Sequence, residues 1–512
     1  MTQNYSFSNI FSSNVFVYVQ SYFLTIGFLL GTGVLGLPVT LAKSGLTPFL
    51  LSFTVVFAVQ FPAVYLAVDV LQKCSAIQVQ GDGKLKRRSK PNVVDEDRIP
   101  LNSTPTDDGT SSDEDIPHII PEQPKPRAPD FHLIGEQFLP NRFVSFLFDA
   151  ILVGMLLVLD ISYALAGSQA YAELFGTSVA YTIIPFCWLL NLFALFGKNL
   201  ITPTVSIATF FKAIILTITV VVAFIVGSTI HREVSTDFQY IGKTVLLSNT
   251  ALFGAIIVMP LTFGKLKNPG KSQIASYRLA VNLGLCTTYL IDILWTFGVL
   301  YVVPQSNECH HHILEDSTEE ICPQTNFTLE WAAENGQIST VPFTKVIKED
   351  YSQFSWVAWL ITVFIVVSIT VSYTIAITSI CQTVEGFVAS KWPKERWNCM
   401  NVGEHLTLQF FVYLLICLVA MTTIFCVAYS NPKGFLVIIE YLVSLTAGML
   451  CAWFLPVIFW NATKEDRIYL NIPAPLSKLQ VWSQYSIILF YNLFLIYTVV
   501  VMCLAIAGIE NY

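Results

Sequence analysis

Charge is what this 512-residue chain lacks: only 12% of it is Asp, Glu, Lys or Arg, against 54% hydrophobic residues. Water-soluble domains carry about 25% charged residues, because an apolar interior needs a polar cover. Half that supply excludes an ordinary globular protein and leaves a surface that must face lipid. A basic excess is missing too. The 28 Lys and Arg are outnumbered by 35 Asp and Glu, for a net charge of −7, which removes the electrostatic footprint of a nucleic-acid binder. Nor is there a nucleophile or phosphate-cradle motif at a convincing spacing, so nothing points to an enzyme or a resident cofactor. His310, His311 and His312 stand beside Cys309 with no second ligand group, and a solvated loop accounts for them better than a metal site.

What is present is a series of apolar runs, each able to supply the roughly 20 residues that cross hydrocarbon. They predict an all-α polytopic membrane protein with eleven spans at 17–42, 46–71, 143–172, 178–197, 203–228, 244–264, 279–303, 355–381, 405–428, 434–460 and 484–507. The first run has no basic start and contains Pro38, so it reads as a span rather than a signal sequence. Orientation follows from Lys and Arg, which collect on the cytosolic side. Lys265, Lys267, Lys271 and Arg278, then Lys391, Lys394 and Arg396, then Lys464, Arg467 and Lys478 share the side of the N-terminal segment 1–16. That side is the cytosol, and an odd span count puts the C-terminal tail across the membrane.

The long loops agree. Residues 304–354 carry Cys309, Cys322 and the sequon Asn326-Phe327-Thr328. A glycosylated Asn326 and a Cys309–Cys322 disulfide both belong outside the cytosol. On the cytosolic side, 72–142 is rich in Pro, Ser and Asp and has no apolar period, which predicts a disordered loop. Its basic stretch Lys84 to Lys90 suits anionic lipid. Its acidic stretch around Ser111 and Ser112 is either a solvated linker or a phosphorylatable docking segment for a cytosolic partner.

The run Gly31-Thr32-Gly33-Val34-Leu35-Gly36-Leu37-Pro38 lies in the middle of the first span. Three glycines and a proline would cost several kcal/mol in a regular helix. They make sense either as a break that opens backbone groups to a ligand at the midplane or as a close helix contact. The sixth span has a second such stretch, Asn249 to Ala255 followed by Pro260. Breaks in spans one and six occupy corresponding places in two five-helix repeats of opposite orientation, with span eleven added.

The first of these runs, continuing through Ala42-Lys43-Ser44-Gly45, resembles the first-helix motif of the amino acid/auxin permease family, within the amino acid–polyamine–organocation superfamily. It is most similar to the proton-coupled amino acid transporter branch. Pro260 followed by Lys265-Leu266-Lys267-Asn268-Pro269 resembles that family's sixth-helix exit. Lys265 in place of the family's Glu, and an aromatic gating run reduced to Phe253, mark a divergent or orphan member. The resemblance implies a LeuT-like fold and a secondary active transporter of amino acids, working by alternating access as a symporter. Gly27 stands where sodium-coupled relatives carry Asn, so the resemblance favours protons as the coupling ion, with sodium the alternative.

The expected substrate site is Gly31, Thr32, Gly33, Val34 and Leu35 facing Phe253 and Gly254. Candidates for ion coupling are the intramembrane acids Asp160, Asp292 and Glu440, where a carboxylate can take up and release a proton. Ser368 and Ser372 in span eight join them, because hydroxyls there help hold sodium in this superfamily; helix-to-helix glue is their other reading. Lys212 pairs with one of the acids or snorkels, and Tyr163 lies one turn from Asp160. A non-transporting amino-acid sensor or scaffold, signalling through residues 73–140, is the rival function. The membrane of residence is left open between the plasma membrane and the endosomal or lysosomal membrane.

Overall fold

A computed structural model of the chain describes residues 14–89, 128–230, 234, 236–267, 269–306, 310–314, 317–321, 327–335, 337–350, 352–391, 408–430, 442–464 and 472–506. The helices are α1 (Asn14–Ser44), α2 (Leu46–Ser89), α3 (Phe131–Phe138), α4 (Arg142–Phe175), α5 (Val179–Phe196), α6 (Lys198–Ile230), α7 (Ile241–Phe253), α8 (Met259–Phe263) and α9 (Lys271–Val302). The outer segment then forms an antiparallel hairpin, β1 (His310–Leu314) with β2 (Ser317–Ile321), and two short helices, α10 (Leu329–Glu334) and α11 (Thr340–Asp350). Four more helices follow: α12 (Ser355–Lys391), α13 (Leu408–Ser430), α14 (Ser444–Thr463) and α15 (Lys478–Ile506).

Ten of these are long and apolar enough to cross a membrane. The expected sixth span corresponds to the pair α7 and α8, neither of which is long enough alone. Local sequence sets the ends: α4 starts where the Asn141 side chain accepts from Val144 N–H, and stops at Gly176 with φ of 64°, a left-handed cap that glycine adopts without steric cost. Exposed Leu189, Leu192, Leu415 and Val419 on α5 and α13 form part of the lipid-facing surface. Near the centre, α1 packs against α6, α7, α9 and α12, while α15 lies outside against α2 and α14.

The sixth span is interrupted as expected. Between Phe253 and Met259 the backbone forms turns, with Ile257 N–H donating to Gly254 C=O at 3.1 Å, and Pro260 opens α8. The first span is not. α1 runs unbroken from Asn14 to Ser44 with Pro38 inside it, which corrects the expectation of a break there. The reason is contact with neighbouring helices: a Cβ on Gly31 would overlap Ser372 Oγ and come 2.8 Å from Tyr163 Oη. Glycine serves close approach here, and neighbours can satisfy the carbonyls that a proline frees in a membrane helix. Span ten carries a further irregularity, a π-turn at Leu450–Phe454.

The loop expected at 72–142 is shorter than that, because α2 continues to Ser89 and α3 folds before span three. The eight-residue α3 is too short to show a period against its Pro-rich surroundings.

Asp69, which the sequence places near a helix end, forms a buried pair: Lys73 Nζ lies 2.7 Å from Asp69 Oδ2 and also donates to Ala462 C=O at 2.8 Å. Arg278 Nη2 of α9 donates to Ala474 C=O at 2.8 Å, so Lys73 ties α2 to α14 while Arg278 ties α9 to the segment between α14 and α15. Removing one partner of a buried pair costs about 3–5 kcal/mol. Lys73→Met should therefore lower the thermal unfolding midpoint clearly, and Lys73→Met with Asp69→Asn should recover most of it. A Lys73→Met midpoint equal to that of the parent would show that the pair does not hold these ends together.

Candidate functional site

A cavity of about 10 Å³ sits at the break in span six, room for about one water. Its walls are Phe28 and Leu29 of α1, Met155 and Leu159 of α4, Phe253 and Gly254 of span six, and Ala447 of α14. Gly254 is glycine for a visible reason, since a Cβ there would overlap the Phe28 ring. Phe253 and Gly254, two residues of the expected substrate site, thus both line this cavity. Gly31 is buried one helical turn beyond Gly27, while the side chains of Thr32, Gly33, Val34 and Leu35 lie outside the described residues. Because α1 is continuous, the open backbone at the cavity belongs to span six alone.

Just before the break, Ser248 and Asn249 are fully buried. Among the described residues, Ser248 Oγ and both polar atoms of the Asn249 side chain have no hydrogen-bond partner. Buried amides without partners are costly, which sets Asn249 apart from the other polar side chains of span six. The sequence reading marked Asn249 only as the start of the break, not as a binding residue; an amide inside a membrane helix, followed by Gly and Pro, was the available signal.

The second cluster is cationic. Lys212 of α6 is wholly buried and donates from Nζ to Gly27 C=O at 3.1 Å, the same carbonyl to which Ser372 Oγ donates at 2.8 Å. Asp292 of α9, also wholly buried, interacts electrostatically with Lys212, although neither of its oxygens makes a hydrogen bond. Ser368 is buried one turn before Ser372, its hydroxyl without a hydrogen-bond partner. The structure therefore brings Lys212 and Ser372 together on the Gly27 carbonyl, with Asp292 near enough for its charge to be felt but not in direct contact. Other hydroxyls of α12 serve mainly their own helix: Thr374 donates to Thr370 C=O and Thr378 to Thr374 C=O.

Asp160 is not part of this cluster. It is wholly buried among α4, α5 and α12, in electrostatic contact with Cys187, Cys381 and Tyr373. Its oxygens make no hydrogen bond, so the expected pairing with Tyr163 is absent. Glu440, Asn326, Cys309 and Cys322 lie outside the described residues, as do the side chains of His310, His311 and His312.

No protein-family profile and no curated protein matches the chain. Among solved structures, the crystal structure of a manganese transporter from Eremococcus coleocola, in complex with an aromatic bis-isothiourea substituted compound, is similar with a TM-score of 0.50. It is 13% identical, over 100% of this chain and 95% of that chain. At that identity the likeness speaks to fold, and the resemblance to amino acid/auxin permeases rests on the motif residues alone. The chain is an all-α, multi-pass membrane protein with a LeuT-like fold.

Proposed function

We propose that the chain is a secondary transporter of amino acids that works by alternating access and couples to protons. The observation that carries the coupling is the Lys212 ammonium, seated against the Gly27 carbonyl and beside the Ser372 hydroxyl. A covalently attached cation fills the place where a free sodium ion would gather the same carbonyl and hydroxyl ligands. Lys212 and the nearby buried Asp292 are then the two groups whose protonation would change the charge of the site without a metal ion. The amino acid substrate meets the open backbone of span six at Gly254 and the amide of Asn249, with its side chain toward Phe28, Met155 and Leu159. That lining offers no carboxylate, so the manganese of the structural neighbour is not carried over.

Counterflow in proteoliposomes with a mixture of labelled amino acids tests the reading, followed by accumulation under imposed proton or sodium gradients. Uptake driven by an inward proton gradient is expected. Binding of amino acids without flux, by protein shown to be folded, would overturn it in favour of the sensor. Hydrogen bonds to a charged group are worth about 1.5–3 kcal/mol. Asn249→Ala should therefore raise the half-saturating substrate concentration about tenfold or more while leaving the thermal midpoint near that of the parent. An unchanged half-saturation would remove Asn249 from the site.

A further inference from the structure

A second cavity, of about 40 Å³, lies directly below the first on the cytosolic side. Its walls come from the cytosolic halves of α2, α4, span six and α14, through Val70, Leu152, Pro260 and Phe459 among others. Phe253 and Ile257 line both cavities, so these two side chains are the partition between them. Phe131 and Ile134 of α3 contribute to the lining of the lower cavity, on the side that the charge distribution of the sequence gives to the cytosol.

This short helix touches α2, α4, α12 and α14, and it is held at each end and along its buried face. Its first turn is capped by Asp130, whose side chain accepts from Leu133 N–H at 2.8 Å. His132 Nδ1 donates to Asp149 Oδ2 of α4 across 2.6 Å, and both side chains are buried. Gly135 lets the helix lie close to α4, where a Cβ would come 3.0 Å from the Phe148 ring. At the far end, Asn461 Nδ2 of α14 donates to Phe138 C=O at 2.7 Å. The contacts to α3 thus come from both repeats, from α2 and α4 in the first and α12 and α14 in the second. If those repeats move against each other in alternating access, α3 cannot keep all of its contacts.

We propose that α3 is the cytosolic gate of the transport pathway, a plug seated below the Phe253–Ile257 partition and latched by the His132–Asp149 pair and by Asn461. Substrate leaving the upper cavity passes Phe253 and Ile257, enters the apolar vestibule, and reaches the cytosol when α3 lifts from its seat. The inference rests on the alternating-access reading, and its test uses neither substrate nor transport.

The test is thiol accessibility. Ile257→Cys is placed in the full chain, in inside-out and right-side-out vesicles, and its labelling by a membrane-impermeant maleimide is measured against the parent without that cysteine. With the latch intact, labelling from the cytosolic side should be slow. Adding His132→Ala, which breaks a buried pair, should raise that rate about tenfold or more, while labelling from the opposite side stays level or falls. Asn461→Ala releases the other end without touching a charge, and it decides the matter if His132→Ala fails to fold. Cytosolic labelling that is unchanged in a latch variant with the parent's thermal midpoint would overturn the proposal. So would labelling that rises equally from both sides, which marks a loosened protein rather than an opened gate. Should amino acid transport fail while this accessibility pattern appears, the gate stands and only the substrate is wrong.

Discussion

Replacing Lys212 with Met is expected to abolish accumulation driven by a proton gradient, a loss of at least tenfold. The methionine side chain fills nearly the volume of the lysine stem, so the change is mainly one of charge. The Gly27 carbonyl loses the ammonium at 3.1 Å, Ser372 Oγ remains as its other donor, and Asp292 keeps no cationic partner in its buried position. Leaving one member of a buried pair uncompensated costs about 3–5 kcal/mol, more than enough for tenfold in an equilibrium, which takes 1.4 kcal/mol. Lys212→Met alone should therefore also be destabilised. The informative variant is Lys212→Met with Asp292→Asn, in which no charge remains. It should recover the thermal midpoint and still exchange labelled substrate in counterflow, yet fail to concentrate it against a gradient. Retained accumulation in that double variant would place the coupling elsewhere, with Asp160 as the next residue to test.

Gly31→Val should be as damaging by a different route. A Cβ at Gly31 would overlap Ser372 Oγ and lie 2.8 Å from Tyr163 Oη, and two further methyl groups leave no rotamer free of contact. Overpacking in a close-packed interior costs about 1–3 kcal/mol and sometimes more. Here the strain falls where α1 meets both α12 and α4, beside the Gly27 carbonyl. Uptake should drop to the background of empty liposomes, with a lower unfolding midpoint. Gly154→Ala supplies the contrast, because a Cβ there meets nothing within 4 Å and alanine is preferred to glycine in a helix by about 1 kcal/mol. It should match or exceed the parent in stability and transport normally. Equal behaviour of the two variants would mean that the α1 contact does not govern function.

The span positions were legible because the signal is one-dimensional. A run such as 355–381 must be apolar along its whole length to sit in hydrocarbon, whatever it packs against. The observed α12 (Ser355–Lys391) begins at the expected residue and continues past the expected end at 381. The break in span six was legible for a similar local reason: Gly254 and Pro260 lie within seven residues, and no regular helix accommodates both cheaply. The same argument misjudged span one. Gly31 to Pro38 has the composition of a break, but composition does not distinguish an opened backbone from one packed closely against a neighbour. That distinction lies in Ser372 and Tyr163, far away in the sequence.

Pairings were the least legible. The sequence offered Asp160, Asp292 and Glu440 to Lys212 on equal terms, and only the packing of α6 beside α1 and α9 selects Asp292. It gave no sign of α3, whose eight residues carry too few apolar positions to stand out from a charged loop. By itself the sequence determined that this chain lives in a membrane and that span six is broken, because lipid and proline act on each segment separately. The tertiary structure decided that α1 stays whole, that Lys212 reaches the Gly27 carbonyl, and that α3 packs against α2, α4, α12 and α14. Those outcomes depend on which side chains meet across distant helices, and packing alone sets that.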